Sequence, residues 1–365
     1  MKVIVAGGGT GGHIYPALAI SQGILKRWPK SEILFVGTEE GMESTIVPDT
    51  GLDFRTISAE GLDRSSMLKA LTSALKVPLG FWQSHNIIKE FKPDVVIGTG
   101  GYVSYPVVMA ATTMGVKTLI HEQNAYPGLA NRALSKRVDY VMLTFPEAAK
   151  QLSGRKMKVT GLPVRSEIAF ITRTEACEFF ELQEDMFTIL AFGGSRGAAS
   201  INKVMLRIVK EYRDQPIQII WITGDKQFSE IQSRLEAEGM PPRLRIFPYS
   251  FAMEKALAAA DLAVCRAGAA TISELAIRGL PAVFVPYPFA AEGHQEKNAR
   301  ALERKGAAFT IVDEFLDKKT LLDKIEELRN NKFRLVRMSQ LMKEEARPRA
   351  LEDILDIIEE VCKAG

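Results

Sequence analysis

The amino-acid sequence predicts an α/β protein that contains two doubly wound, parallel-sheet domains. Short apolar runs alternate with longer helical patterns along the whole chain, which is typical of parallel strands covered by helices on both faces. The same device, an apolar strand that ends in glycines and enters a helix, opens each half, at residues 3–12 and 188–197. The chain has 365 residues, which is more than one hydrophobic core usually supports.

Each predicted domain is supported by its own series of six apolar runs. In the first half, the expected strands are residues 2–6, 32–37, 94–98, 117–121, 140–143 and 157–160. In the second half, they are residues 187–192, 217–222, 244–247, 262–265, 282–286 and 308–312.

The domain boundary is placed where glycine and proline interrupt the chain, at Gly161 and Pro163. The predicted N-terminal domain is therefore residues 1–162, and the C-terminal domain is residues 163–346. No convincing strand follows residue 318. We expect the terminal helix, over residues 347–365, to pack back on the N-terminal domain.

Composition and charge favour a soluble enzyme of a reducing compartment. The net charge of +3 does not indicate a nucleic-acid-binding protein. The cysteines, Cys177, Cys265 and Cys362, are far apart and lack metal-ligand spacing. The N-terminus predicts no signal peptide, and no apolar run approaches the roughly 20 residues of a membrane span. We therefore expect a cytoplasmic protein whose membrane contact is peripheral.

The glycine turns predict anion sites. A helix that begins directly after a strand has unpaired N–H groups, and these together with its dipole favour a phosphate. Gly7, Gly9 and Gly12 match the spacing of a dinucleotide fingerprint, but the acidic residue expected about 20 positions later is missing. A nucleotide-sugar enzyme is therefore favoured over a nicotinamide enzyme, and tight packing without a ligand is the alternative. A third glycine loop, residues 98–104, could help the first to hold a diphosphate.

Five short motifs occur in a specific order, at residues 8–13, 100–104, 121–124, 193–197 and 265–274. This ordered set closely resembles the MurG family of peptidoglycan N-acetylglucosaminyltransferases. The resemblance implies a GT-B fold, in which two Rossmann-like domains face each other across a cleft. It also implies inverting transfer of N-acetylglucosamine from UDP to the 4-hydroxyl of a muramoyl peptide on undecaprenyl diphosphate. Such an enzyme would serve cell-wall synthesis, and thereby cell shape and division.

His13 is the candidate catalytic residue. It follows the first glycine turn, and its unperturbed pKa of about 6.5 suits a general base. The alternatives are a phosphate contact, or a structural histidine at a helix N-terminus that bonds a backbone carbonyl. A sharp loss of turnover with folding intact would identify the functional role.

The resemblance, together with the glycine turns, assigns two groups of binding residues. The expected UDP-N-acetylglucosamine site contains Thr10, Gly11, Gly12, Asn124, Arg165, Ser195, Ser250, Ala269, Ala270, Thr271, Ile272, Ser273, Glu274 and Gln295. The expected acceptor diphosphate site contains Gly9, Gly100, Gly101 and Tyr102.

Several of these residues also have a purely structural interpretation. Thr271 and Glu274 have the spacing of a capping box, and Ser195 suits a helix N-cap. Asn124 could form a turn, and Arg165 could be a solvated hinge residue. The sequence contains no D-x-D tripeptide, so we expect neither a metal nor a cofactor, and helix N-termini and cations would stabilise the leaving group.

A membrane-facing stretch is predicted at residues 64–82. Apolar and aromatic residues there lie among basic ones and no acidic ones: Met67, Leu68, Leu71, Leu75, Val77, Leu79, Phe81 and Trp82, with Arg64, Lys69 and Lys76. The alternative is a buried connecting helix broken by Pro78 and Gly80. The lipid-linked acceptor favours contact with an anionic membrane on its cytoplasmic side, where other cell-wall synthesis proteins could also bind.

Three rival functions remain open at this point. A UDP-sugar 2-epimerase can share the fold, but it has no use for a second diphosphate loop or a membrane patch. A nicotinamide oxidoreductase is disfavoured by the missing acidic residue. A non-catalytic nucleotide-sugar sensor would keep Glu274 and Gln295 but would not need His13.

Overall fold

The computed structural model describes residues 1–60, 67–154, 156–194, 197–250 and 252–363, with the backbone alone for residues 67–76. The chain divides into two compact units. Unit one is Met1–Pro163 with Arg349–Gly365, and unit two is Val164–Pro348.

Unit one contains a parallel sheet of seven strands in the order β3-β2-β1-β4-β5-β6-β7. The strands are β1 (Lys2–Ala6), β2 (Glu32–Gly37), β3 (Asp53–Thr56), β4 (Val95–Gly98), β5 (Lys117–Glu122), β6 (Tyr140–Leu143) and β7 (Met157–Val159). The helices are α1 (Gly11–Arg27), α2 (Glu43–Ile46), α3 (Met67–Phe91), α4 (Gly101–Thr113), α5 (Leu129–Leu134) and, from the end of the chain, α15 (Ala350–Lys363).

Unit two contains a parallel sheet of six strands in the order β10-β9-β8-β11-β12-β13. The strands are β8 (Phe187–Phe192), β9 (Ile217–Ile222), β10 (Leu244–Phe247), β11 (Leu262–Cys265), β12 (Ala282–Phe284) and β13 (Ala308–Thr310). The helices are α6 (Glu167–Phe170), α7 (Arg173–Phe180), α8 (Ala199–Glu211), α9 (Asp225–Ala237), α10 (Met253–Ala259), α11 (Ala269–Arg278), α12 (His294–Arg304), α13 (Lys318–Arg329) and α14 (Lys332–Glu344).

Both sheets reverse their strand order at one point, between β1 and β4 in unit one and between β8 and β11 in unit two. Ligands of doubly wound sheets bind outside the carboxyl ends of the strands at such a switch point. Residues 3–6 in β1 and 189–191 in β8 are completely buried, as expected of strands covered on both faces. The predicted fold class is confirmed, and each sheet has one place where a ligand is expected.

The sequence analysis missed one strand, β3. It has four residues, pairs only with β2 at the edge of the sheet, and alternates between exposed and half-buried positions. An edge strand of this kind has no continuous apolar run, which is the signal that identified the central strands.

The C-terminal helix α15 packs against α1. Leu351 lies over Gly23, where a Cβ would come within 2.7 Å of its side chain, and Ile354 and Ile358 are completely buried. Salt bridges surround this contact, with 2.6 Å between Arg27 and Asp356. Exposed pairs of this kind contribute about 0.2–1 kcal/mol each, so apolar packing dominates the attachment.

Helix α3 runs through Pro78 and Gly80, so the expectation that these residues break it is wrong. A Cβ on Gly80 would lie 2.6 Å from the Ser58 carbonyl oxygen, so glycine permits a close approach there, and the Ser84 hydroxyl donates to the Gly80 carbonyl at 2.6 Å. Across the described part of the chain, no helix is long and apolar enough to cross a membrane.

Candidate active site

The first glycine turn connects β1 to α1 and is interlocked with the loop after β4. Thr10 is the N-cap of α1, and its carbonyl accepts from the N–H groups of His13 and Ile14 at 3.0 and 3.2 Å. Gly101 has a φ of +79°, and a Cβ there would lie 2.3 Å from the Gly8 carbonyl oxygen. Only glycine allows this contact, so the two loops form one surface at the switch point of unit one.

A buried carboxylate supports this surface from beneath. Glu43, at the start of α2, is completely buried and accepts from the N–H of Gly9 at 3.0 Å. Its other oxygen accepts from the Thr38 N–H at 3.1 Å and the Thr38 hydroxyl at 2.8 Å. The sequence analysis did not identify Glu43, because no local motif surrounds it and its partner Gly9 lies 34 residues away.

The Gly9 and Gly100 N–H groups are both used within the protein. Gly9 donates to Glu43, and Gly100 donates to the Ser104 hydroxyl at 2.9 Å. An anion at this surface would therefore be held by the first N–H groups of α1 and α4, which have no partner within their own helices. Tyr102 contacts Gly9, where a Cβ would lie 2.8 Å from its ring. The four predicted acceptor residues thus lie together, and their binding role stays a prediction.

His13 is half-buried between the two glycine loops. Its Nδ1 lies 3.0 Å from the Thr99 carbonyl oxygen and 3.1 Å from Gln123 Oε1. Burial lowers the pKa of His13, whereas the hydrogen bonds to Gln123 and Thr99 and the charge of Glu43 oppose this shift. The imidazole is therefore neutral near pH 7, which is the form that a general base requires.

The strand-end motif after β5 is a buried hydrogen-bond network. His121 Nε2 donates to the Gly161 carbonyl at 2.9 Å, and burial lowers the pKa of His121 to about 4. Glu122 accepts from the Asn124 N–H at 2.9 Å and from Asn131 Nδ2 at 2.8 Å, while burial raises its pKa. Glu122 thus shapes the loop that carries Asn124, which is half-buried.

In unit two, the predicted residues Ala269, Ala270, Thr271, Ile272, Ser273 and Glu274 form the first turns of α11, at the switch point. Gly268 is the N-cap of this helix, and no side chain caps it, so the capping-box interpretation of Thr271 and Glu274 is wrong. The Ser273 hydroxyl donates to the Ala269 carbonyl at 2.9 Å. The helix ends at Arg278, and Gly279 follows in the left-handed conformation.

Glu274 lies in a small charged cluster. Arg165 is 3.5 Å from Glu274 and 3.4 Å from Glu254, and the arginine side chain is half exposed. Burial raises the pKa of Glu274, the positive charge of Arg165 opposes this, and the charge of Glu254 adds to it. Arg165 and Glu274, which the sequence analysis placed in one site, are therefore in contact.

The remaining predicted residues lie elsewhere in unit two, in unit one or outside the described part. Gln295 Oε1 accepts from the Tyr287 N–H at 2.9 Å and so holds the loop before α12. The Ser250 hydroxyl accepts from the Ala252 N–H at 3.2 Å, before α10. Ser195 lies outside the described residues. Thr10, Gly11, Gly12 and Asn124 belong to unit one, so the predicted donor residues are divided between the two units.

Arg266 is a structural link that the sequence analysis did not assign. Its side chain is 12% exposed and forms a salt bridge with Asp313 at 2.5 Å. It also donates to the carbonyls of Val285 and Pro286 at 3.0 and 2.9 Å, and to the Ser200 hydroxyl at 3.0 Å. Arg266 therefore ties the end of β12 to the start of α8.

Within the described ranges, no cluster of three or more His, Cys, Asp or Glu side chains could hold a metal ion.

Comparison with known families covers both units. Residues 3–143 match the glycosyltransferase family 28 N-terminal domain, and residues 188–354 match its C-terminal domain. An enzyme of Desulforudis audaxviator is 46% identical over all of this chain and all of its own. One of Desulforamulus reducens is 45% identical over 99% of each chain. Both are named UDP-N-acetylglucosamine--N-acetylmuramyl-(pentapeptide) pyrophosphoryl-undecaprenol N-acetylglucosamine transferase.

Solved structures extend the similarity. MurG of Acinetobacter baumannii has a TM-score of 0.80 at 29% identity and covers 98% of this chain and 99% of its own. A UDP-GlcNAc 2-epimerase of Neisseria meningitidis has a TM-score of 0.66 at 13% identity, with 99% and 100% of the two chains covered. The second likeness shows a common fold alone.

Proposed function

We infer that this chain moves N-acetylglucosamine from UDP to a lipid-linked muramoyl peptide. The chain belongs to glycosyltransferase family 28. Within that family it belongs to the UDP-N-acetylglucosamine--N-acetylmuramyl-(pentapeptide) pyrophosphoryl-undecaprenol N-acetylglucosamine transferases. The observation that carries the chemistry is the imidazole of His13, which lies between two glycine loops at the switch point of unit one, where burial lowers its pKa. Transfer to an alcohol requires a base at the place where the acceptor is held.

In the proposed reaction, the 4-hydroxyl oxygen of the muramoyl sugar attacks C1 of N-acetylglucosamine. The new C1–O4 bond forms as the bond from C1 to the UDP oxygen breaks on the opposite face, which inverts the anomeric centre. His13 takes the hydroxyl proton, and UDP leaves with the electron pair of the broken bond. Holding both sugars in line supplies much of the rate enhancement.

Unit two is the proposed donor site. Glu274 has a carboxylate that can accept from two vicinal ribose hydroxyls, and Arg165 beside it can offset charge on the diphosphate. The N-terminus of α8 after the second glycine turn, and that of α11, offer N–H groups to phosphates. Gln295 uses its Oε1 to hold the loop after β12, so its amide nitrogen is the atom proposed to meet the donor sugar.

Unit one is the proposed acceptor site. The N-termini of α1 and α4 lie side by side at the interlocked glycine loops, and both helices are long enough to have a substantial dipole. Together they suit the two phosphates of an undecaprenyl diphosphate carrier. Asn124, on the loop shaped by Glu122, is assigned to the donor instead, and is proposed to bond the hydroxyls or the acetamido group of the donor sugar.

Peripheral membrane contact is proposed for helix α3. Val77, Leu79 and Trp82 are 37%, 46% and 63% exposed, which is unusual for neighbouring apolar residues on one helix. The side chains of Lys69 and Lys76 and residues 61–66 lie outside the described part, so the basic component of this surface stays a prediction. The protein should pellet with anionic vesicles, and Lys69→Glu or Lys76→Glu should weaken pelleting. Unchanged pelleting of both variants would contradict the proposal.

The function is tested by UDP release from UDP-N-acetylglucosamine with and without the lipid-linked muramoyl acceptor. A transferase should release UDP rapidly only when acceptor is present, and the sugar should appear on the lipid. Release or epimerisation of UDP-N-acetylglucosamine alone would indicate a 2-epimerase instead. Binding without either reaction would indicate a nucleotide-sugar sensor.

A further inference from the structure

We propose that Gln123 is a positioning residue that, together with the Thr99 carbonyl, holds His13 in the tautomer protonated at Nδ1, so that Nε2 is the atom that takes the acceptor's proton. The identity of that proton rests on the proposed function. The tautomer follows from hydrogen bonds within unit one and stands independently of the reaction.

The first step concerns His13 itself. Its Nδ1 lies 3.0 Å from the Thr99 carbonyl oxygen, which can only accept a hydrogen bond. Nδ1 must therefore carry the hydrogen. A neutral imidazole has one ring hydrogen, so Nε2 then carries the lone pair. The ring is held in place on this side, because a Cβ on Gly100 would lie 2.7 Å from Nδ1.

The second step fixes the orientation of the Gln123 amide, which is 1% exposed. Its Nε2 lies 3.1 Å from the His121 carbonyl oxygen, again an atom that can only accept. Its Oε1 therefore faces His13 Nδ1, at 3.1 Å. The flipped amide would place two donors together at His13 and two acceptors together at His121, so one orientation fits.

The third step concerns His121, the last side chain in this series of hydrogen bonds. Its Nε2 donates to the Gly161 carbonyl at 2.9 Å, so its Nδ1 is unprotonated and accepts from Gln123 Nε2 at 3.1 Å. Donation therefore runs in one direction, from His13 through Gln123 and His121 to Gly161. The two histidines are opposite tautomers, and each polar side-chain atom in this series of hydrogen bonds has a partner of the correct kind.

This arrangement prepares His13 for proton transfer. When Nε2 takes a proton, the ring becomes a cation, and its Nδ1–H bonds to Gln123 and Thr99 become charge-assisted. The charged group that acts on His13 is Glu43, from α2, and it also favours the cation. The titratable group beyond Gln123 is His121, from β5, which stays neutral near pH 7. Removing the Gln123 bond should therefore lower the pKa of His13, and adding a carboxylate in its place should raise it.

The tautomer can be read directly by NMR of the protein labelled with 15N-histidine, because the chain has four histidines. His13→Asn and His121→Asn identify the two signals by their loss. We expect His13 to be protonated at Nδ1 and His121 at Nε2 in the wild-type protein. Gln123→Met keeps the Thr99 bond but loses one of the two bonds to Nδ1, so the fraction of His13 protonated at Nε2 should rise above its wild-type value. A wild-type His13 protonated at Nε2, or a mixture, would overturn the proposal whether or not the protein is a transferase.

The pH profile of kcat/KM provides a second readout that a merely structural glutamine would not move. Activity of a base falls as the pH falls through its pKa, so the acidic limb reports His13. Gln123→Met should shift this limb to lower pH and reduce kcat about tenfold, the effect of about one hydrogen bond, with little change in KM. Gln123→Glu should shift the limb to higher pH. Both variants sharing the wild-type limb would overturn the proposal.

Gln218→Met is the matched control, because Gln218 is 2% exposed and similarly hydrogen-bonded, but lies in unit two. It should leave the histidine spectrum and the acidic limb unchanged, and a shift of either would contradict a specific role for Gln123. If Gln123→Met does not fold, the acidic limb of Gln123→Glu and the wild-type histidine spectrum still test the proposal. If the wild-type protein does not transfer sugar but shows the expected tautomers, the proposed function fails and the positioning of His13 stands.

Discussion

The two glycine turns occupy equivalent places in their sheets, yet the groups beneath them differ in charge. Beneath the first, the Glu43 carboxylate binds the Gly9 N–H and the end of β2 at Thr38. At the second, the Thr223 carbonyl packs against Gly197, where a Cβ would lie 2.2 Å from its oxygen, and the neutral amide of Asn202 donates to that carbonyl at 2.7 Å. The Asn202 amide also donates to Gln227 Oε1 at 2.9 Å and accepts from the Trp221 indole N–H at 3.0 Å.

This difference suggests that one device has been adapted to two tasks. A fixed negative charge beneath a turn weakens its attraction for an anion but stabilises a cation nearby. The first turn therefore suits a base that becomes positive, as His13 does when it takes a proton. At the second turn Asn202 is neutral, and Asp313, which accepts from Ser200 in the first turn of α8, is paired with Arg266. The dipole of α8 is therefore opposed by no net charge, which suits a departing diphosphate that gains negative charge. The contrast supports placing the base in unit one and the leaving group in unit two, and the acceptor diphosphate in unit one has to bind against the Glu43 charge.

The largest expected effect comes from removing the base. His13→Ala should reduce turnover by about 10²–10⁴-fold, the usual contribution of general base catalysis, while the fold stays intact. Steady-state UDP release and circular dichroism would measure the two quantities. His85→Ala is the matched control, since His85 lies on α3 and belongs to neither glycine loop. Near-normal turnover of His13→Ala would show that the first turn does not carry the chemistry.

The second prediction places a charge beneath the neutral turn. Asn202→Asp puts a carboxylate against the Thr223 carbonyl and close to the proposed diphosphate. The KM for UDP-N-acetylglucosamine should rise by about tenfold or more, the effect of about 1.4 kcal/mol of repulsion. The acidic limb of the pH profile, which reports His13, should not move.

The buried amide of Asn202 also contributes to stability, so a neutral control is needed. Asn202→Leu removes the same hydrogen bonds without adding charge, and should lower the free energy of unfolding by about 1–3 kcal/mol. Its donor KM should change less than that of Asn202→Asp. Equal donor KM values for the two variants would mean that the charge beneath the second turn is unimportant.

The fold was largely predictable because its signal is local. The central strands of both sheets are buried and read as continuous apolar runs, whereas the exposed edge strand β3 does not. Local patterns failed where packing decides the outcome. Pro78 does not end α3, and the capping-box pattern at Thr271 lies inside a helix that begins one turn earlier, after Gly268.

The candidate site was only partly predictable for the same reason. The sequence alone identifies the glycines and His13, because they follow the fixed spacing of a strand–turn–helix pattern. Gln123 lies in a recognisable motif, but its partner His13 is 110 residues away. Glu43 belongs to a four-residue helix with no motif, and its role exists only once β1 and β2 are adjacent. Long-range partners of this kind require the folded chain.

The smallest of the three effects should come from neutralising the first turn with Glu43→Gln. The amide can accept from only one of the two backbone N–H groups, so the free energy of unfolding should fall by about 1–3 kcal/mol. Without the Glu43 charge, the pKa of His13 should fall further, so the acidic limb should move to lower pH. A weaker base should lower kcat by about tenfold, and the KM for the lipid-linked acceptor should fall because its diphosphate meets less repulsion. The exposed Glu40→Gln, in the same loop, should change none of these quantities. If Glu43→Gln instead raised the acceptor KM or altered the donor KM, the carboxylate would be a support for the turn with no part in the electrostatic difference between the two units.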